Sequence, residues 1–584
     1  MILKTIQSFV IPYGSLTDDS VIKYKKESEE SQHLENSMYI GSSCFASMAN
    51  LFIGYRQLNN TGTMINKKRT PLAALLHVIV ATLLCALSLQ GTTVYVAVNG
   101  NDTVNDGSFT LPYKTITKAV SVIVAGDTMY VRGGTHTYSS TITLNKIGTD
   151  STRIYLLAYD GERALLDFSS MPVSSSNRGI RVSGDYWYIR GFDVWKAGDN
   201  GMHISGSNNI IEFCTFSENY DTGLQLGGGA SNNRIINCDS YYNADPDHGD
   251  ADGFAPKLDV GTGNYFYGCR AWQNSDDGWD GYLRSADNVT TTLEYCWVFN
   301  NGYLKDGSES FGNGNGFKLG GGDNGNADSL RHNMILKNCL AFDNRVKGYD
   351  QNNNRGSMTL LNCTAYRNGT NYRINGTIRS TSTVTVKNCV SLGAYGSLGS
   401  YTVQATNSWM SPFVVTNDDF VSIDTAGVRG PRNPDGSLPA LPFMNLAGGS
   451  DLIDSGTDVG LPYVGVAPDL GAFEYTPPDV VPEDEQSPVR FALFQNYPNP
   501  FNPVTVIGYS LSAQSYVTLK VYDILGKEVS TIVDEVQASG FKSYTWDASG
   551  FPSGVYYCRI SVVGQVGQDG ILSYNGIKKM LLMK

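Results

Sequence analysis

One short pattern of apolar and polar positions recurs along this chain: EFCTFSEN, INCDSYYN, YGCRAWQN, EYCWVFNN, KNCLAFDN, LNCTAYRN and KNCVSLGA, with cysteines at 214, 238, 269, 296, 339, 363 and 389. In the first six copies an asparagine follows five residues later (Asn219, Asn243, Asn274, Asn301, Asn344 and Asn368), and an aromatic stands three after the cysteine at Tyr241, Trp272, Phe299, Phe342 and Tyr366. The shortest spacing is 24 residues. Short strands at that period, with asparagine at a fixed turn, predict an all-β solenoid: a right-handed parallel β-helix whose coils stack about 4.8 Å apart. Equivalent residues then form ladders. Stacked cysteines behave as small hydrophobes, and stacked asparagines bond along the axis while satisfying turn backbone. Disulfides are the competing reading for an exported chain, but seven cysteines in one ladder favour free thiols. Before the ladder, TITKAVSVIVAGDTMYV reads as a short amphipathic helix leading into a strand, a cap for the open end of the solenoid.

A second anchor follows each asparagine. Gly223, Gly278 and Gly348 come four residues after theirs, whereas Gly253 and Gly316 are delayed by six and eleven residues, so their two coils carry insertions. The next residue is Leu224, Phe254, Trp279, Phe317 or Tyr349, a bulky set expected to point into the core. Loops inserted into a solenoid commonly build its binding face, which directs attention to residues 243–318.

Outside the repeat the pattern changes. Residues 1–63 are polar without an apolar period and read as an unstructured upstream extension. Met64-Ile-Asn-Lys-Lys-Arg followed by the apolar run Leu72 to Leu87 reads as a signal peptide over 64–91, with a transmembrane anchor as the alternative. The β-helix domain is expected over 92–475, with 390–475, which lacks the cysteine repeat, holding final coils and a cap. TPPDVVPEDEQSP makes 476–489 a Pro-rich acidic linker, and the alternating stretches of 490–584, broken by Pro and Gly turns, predict a small β-sandwich. The 584 residues carry 43 Lys+Arg against 55 Asp+Glu, a net charge of −12, which excludes a basic nucleic-acid binder. Six histidines without a spaced pair argue against a transition-metal site.

Aligning coils on the glycine puts Asp252 and Asp277 at one position, with Asp276 beside Asp277, and puts Asp280, Lys318 and Asp350 together two residues after the glycine. Four carboxylates on two adjacent coils repel one another unless a cation joins them, and Ca²⁺ takes six to eight oxygen ligands at roughly 2.3–2.6 Å. Asp252, Asp276, Asp277 and Asp280 are therefore candidate calcium ligands. Lys318 beside them is a candidate base, its pKa lowered by neighbouring cations. Arg284, Arg331, Arg345 and Lys347 are candidate contacts to substrate carboxylates.

The stretches DADGFAPKL, GCRAWQNSDDGWDGY, GNGFKLGG and VKGYDQNNN resemble polysaccharide lyase family 9, whose members include calcium-dependent pectate lyases and some rhamnogalacturonan lyases. The resemblance spans roughly 92–390. It implies that Asp252, Asp276, Asp277 and Asp280 hold Ca²⁺ and that Lys318 abstracts the C5 proton in β-elimination on an acidic plant cell-wall polysaccharide. Polygalacturonase-type hydrolysis is the alternative chemistry, although the chain has neither a Gly-His-Gly nor an Arg-Ile-Lys segment. A non-catalytic glycan-binding solenoid is the other. NYPNPFNP, VYDILGKEV and SGVYYCRI resemble the C-terminal sorting domain of the type IX secretion system, which implies a secreted or surface-attached product, expected as a monomer.

Overall fold

The computed structural model describes residues 91–322, 329–433, 435–476 and most of 492–582. The expected extension, signal peptide and most of the linker lie outside these residues. From Thr93 onward each coil contributes one strand to each of three parallel sheets, of twelve, ten and ten strands, and each strand pairs with its counterpart one coil away. The first sheet begins at Thr93–Val96, the second at Ile142–Leu144 and the third at Gly134–Thr137.

Two corners per coil explain the repeat. The residue before each ladder cysteine has a left-handed backbone, among them Phe213, Asn237, Gly268 and Tyr295, and so does the residue before each ladder asparagine, among them Glu218, Tyr242 and Gln273. One such residue turns the chain sharply from one sheet to the next. The asparagines then close the corner. Each donates through its Nδ2 to the Oδ1 of its neighbour, from Asn219 through Asn243, Asn274, Asn301 and Asn344 to Asn368, at 2.8–2.9 Å. The backbone N–H of each donates to the same oxygen, so no ladder amide is buried without a partner. All eight described cysteines are buried and free, as expected for the seven of the ladder.

Inside the solenoid, Phe254, Trp279, Phe317, Tyr349 and Tyr372 stack from coil to coil with ring centroids 4.6, 5.4, 5.2 and 4.9 Å apart. The helix forms at Ile116–Val122, where Thr115 accepts from the Lys118 N–H and Ile116, Ala119 and Val120 are buried against the first coil.

Residues 390–475 begin with the expected final coil and continue into a segment of a different kind. Val390–Leu392, Gly396–Leu398 and Val403–Ala405 continue the coils, one strand in each sheet; the chain then runs back along the outer face of the third sheet. The reason is apolar. That face presents Trp272, Phe299 and Phe342 in a stack, and Phe443, Leu446, Leu452 and Leu470 bury it. Arg432 pins the returning segment by an ion pair to Asp239 at 2.7 Å.

The C-terminal module is antiparallel: a three-stranded sheet over Ala492–Leu493, Val504–Leu511 and Gly540–Asp547, and a four-stranded sheet over Ser515–Asp523, Glu528–Gln537, Gly554–Gly567 and Gly570–Leu582. Tyr509, Leu519, Trp546 and Cys558 lie in its own core.

Candidate active site

The site forms on the outer face of the second sheet, where Phe254–Pro256, Trp279–Asp280, Phe317–Lys318 and Lys347–Asp350 lie side by side. Gly278 sets its geometry. A Cβ there would come within 2.8 Å of both the Asn301 Nδ2 and the Gly316 carbonyl, so only glycine allows this approach. Trp279 therefore turns inward and Asp280 outward, and the pairing aligns Asp280 with Lys318 and Lys318 with Asp350.

The four aspartates and Lys318 meet as the coil alignment predicts, and all five are at least nine-tenths buried. Oxygens of Asp252, Asp276 and Asp277 lie within 4.8 Å of one another. Asp280 stands beside this group and is tied to two lysines. Lys318 Nζ is 3.3 Å from Asp280 Oδ1 and 3.1 Å from Asp277 Oδ2, and Lys257 Nζ is 3.6 Å from Asp280 Oδ2 and 2.6 Å from Asp252 Oδ2. Backbone amides also bond this group: Asn315 donates to Asp277 Oδ1 at 2.8 Å, Tyr282 to Asp280 Oδ1 at 2.9 Å, and Asn313 to Asp276 Oδ1.

This arrangement is short of positive charge. Burial, reinforced by Asp277 and Asp252, pushes Asp276 up to about 9. Burial likewise pushes Asp252 up to about 8 against the opposing pull of Lys257. In Asp280 burial is outweighed by Lys318 and Lys257, which hold it below the usual carboxylate range. For Lys318, burial is outweighed by Asp280, Asp277, Asp276 and Asp252, which keep its ammonium charged. Asp277 Oδ2 is buried and meets Lys318 without hydrogen-bond geometry. An all-oxygen donor set with surplus negative charge and an unsatisfied buried oxygen fits a hard divalent cation.

The other expected contacts are placed differently. Lys347 is on the same face but paired with Asp350 at 2.9 Å. Arg331 forms a two-pronged bond to Asp287 and leads into the first sheet at His332–Lys337, away from the site. Arg284 is exposed four residues beyond Asp280. Arg345 lies across Gly302 and Gly314, the ends of the longer inserted loop, donates to the Gly312 carbonyl and faces Glu309 at 3.7 Å. It supports the loop that delivers Asn313 to Asp276.

Lys257, Asn313 and Asn315 belong to the site and were not legible as such. Lys257 carried a signal: it is four residues after Gly253, on the same strand face as the position of Asp280. The two asparagines contribute backbone amides, which residue type does not reveal.

A three-sheet parallel solenoid with buried carboxylates and a lysine on one face defines a polysaccharide-processing β-helix, and similarity to known proteins specifies which. Residues 94–392 match the family described as Pel9A-like, right handed beta helix region. Pectate lyase L of Dickeya dadantii (strain 3937) is 41% identical over 394 residues, covering 65% of this chain and 90% of that protein. The crystal structure of pectate lyase Pel9A superposes with a TM-score of 0.61 at 40% identity, covering 66% of this chain and 97% of that one. A rhamnogalacturonan lyase superposes with a TM-score of 0.56 at 29% identity, covering 61% and 97%. The chain belongs to the Pel9A-like right-handed β-helix family and is a polysaccharide lyase. Its residues 495–569 match the secretion system C-terminal sorting domain.

Proposed function

We propose that this protein is an exported calcium-dependent pectate lyase that cleaves polygalacturonate by β-elimination. One observation carries the reading: Lys318, in register with Asp280 and 3.1 Å from Asp277, adjoins three clustered buried carboxylates that Lys318 and Lys257 neutralise only in part. Asp252, Asp276 and Asp277, with Asp280 beside them, would hold Ca²⁺. Bound there, Ca²⁺ supplies the positive charge that neutralises a uronate carboxylate and makes its C5 proton acidic. Lys318 then acts on that proton. Asp277 and Asp280 hold its own proton, and engagement of those carboxylates with a cation would favour the neutral amine that abstraction requires. The electron pair left at C5 forms the C4–C5 double bond as the C4–oxygen bond breaks, and a proton from water completes the leaving hydroxyl. The sorting domain supports type IX export.

The test is ultraviolet absorbance of polygalacturonate incubated with the protein, with Ca²⁺ or with a chelator, and with rhamnogalacturonan in parallel because a rhamnogalacturonan lyase shares the fold. Calcium-dependent absorbance growth on polygalacturonate is expected. Growth on rhamnogalacturonan alone would move the substrate, and new reducing ends without absorbance would replace elimination by hydrolysis. A Lys318→Ala protein that binds Ca²⁺ yet keeps full activity would remove Lys318 from its role. Unchanged export after deletion of 490–584 would do the same for the sorting domain.

A further inference from the structure

Among the basic residues expected to meet substrate, Arg331, Arg345 and Lys347 are each committed to an acidic neighbour. Two other arginines are not, and they stand in the column that contains Lys318. Beyond Lys318 the pairing continues through Asp350 to Arg373. In the other direction Ala255 lies beside Asp280, and the column continues through Gln225 and His203 to Arg181. Arg181 lies between buried Ile180 and Val182, and Arg373 between buried Tyr372 and Ile374, so both side chains point outward from the face that carries the acidic site. Both are exposed, whereas Gln225, Ala255, Asp280, Lys318 and Asp350 are buried. Among the described residues neither arginine has an ion pair or a side-chain hydrogen bond.

We propose that Arg181 and Arg373 bind carboxylates of the acidic polysaccharide at opposite ends of the outer face of the second sheet. This rests on the reading of the site as a polyuronate lyase. Coils are about 4.8 Å apart, so Arg373 is about 10 Å beyond Lys318 and Arg181 about 19 Å before Asp280. A linked pyranose ring is about as long as one coil step, so an extended polyuronate lying along the column presents roughly one ring per coil. An exposed guanidinium without an internal acid can take such a carboxylate by two parallel N–H bonds. The chain carries a net charge of −12, so a polyanion needs local positive charge to settle on it. Contact with both arginines requires a chain of about eight rings.

The experiment uses the full chain and its Arg373→Gln, Arg181→Gln and double variants. Steady-state kinetics would be taken on tri-, hexa- and octagalacturonate and on the polymer, and octagalacturonate would be titrated into each arginine variant carrying Lys318→Ala. On octagalacturonate and polymer, KM should rise about ten-fold per arginine with kcat within about two-fold, while Arg181→Gln leaves the trimer unaffected. Melting temperature and its response to Ca²⁺ should not change, and Arg373→Lys should restore only part of the loss. Turnover with KM unchanged in both single variants, or with trimer and octamer equally impaired by Arg181→Gln, would overturn the inference while leaving the lyase reading intact. Arginine-dependent binding without turnover would overturn the lyase reading alone. A wild-type protein that neither binds nor cleaves octagalacturonate would overturn both.

Discussion

Lys257 Nζ lies 2.6 Å from Asp252 Oδ2, and this lysine supplies part of the positive charge within an otherwise acidic site. Removing one partner of a buried pair leaves the other charge uncompensated, at a cost of about 3 kcal/mol. Lys257→Met should therefore lower the melting temperature in chelator, and Ca²⁺ should recover more of it than in wild type. Thermal melts with and without Ca²⁺ check this; an unchanged calcium response would separate Lys257 from the cation site.

The chelated protein should lose stability as pH rises from about 6.5 to 9. Asp252 and Asp276, pushed up to about 8 and about 9, take up protons at higher pH in the folded chain than unfolded carboxylates, which titrate near 4. The folded state thus binds more protons, and its advantage, complete below pH 4, disappears as pH passes through the raised values. The buried His332, lowered to about 4, titrates below this window. Saturating Ca²⁺ should flatten the slope, which melts across the pH range in both conditions would detect.

Arg345 should act on the cation through the inserted loop. Without its packing on Gly302 and Gly314 and its bond to Gly312, the Asn313 amide loses its fixed place on Asp276. Substitution of such outer partners typically weakens metal affinity ten- to a hundred-fold. Arg345→Ala should raise the Ca²⁺ Kd about ten-fold with little change in melting temperature in chelator, and Arg345→Lys, lacking the planar fork, should not restore it. Calorimetric titration with Ca²⁺ decides.

Asn301 joins two coils: its Oδ1 accepts from Asn274 at 2.9 Å and its Nδ2 donates to Asn344 at 2.9 Å. Asn301→Ala strands buried donors and should destabilise the solenoid by about 3 kcal/mol, measured by denaturant unfolding. Calcium affinity should fall with it, because Asn301 also packs against Gly278 between Asp277 and Trp279.

The repeat made most of the solenoid readable. In a parallel β-helix the neighbour across a sheet is the equivalent residue of the next coil, so aligning Cys269 with Cys296 or Gly278 with Gly316 is already a statement about contact. Sequence therefore determined the free cysteines, the asparagine ladder, the inward aromatics and the meeting of Asp252, Asp276, Asp277, Asp280 and Lys318. Tertiary structure alone decided what the insertions do, because an insertion breaks the period and its path is set by what it packs against. That is why Asn313 reaches Asp276, why Arg345 braces a loop, and why Arg432 finds Asp239 193 residues away. The run of residues beyond Val403–Ala405 was likewise set by the third sheet's outward-facing aromatics, a surface whose need for cover no local pattern in the covering segment records.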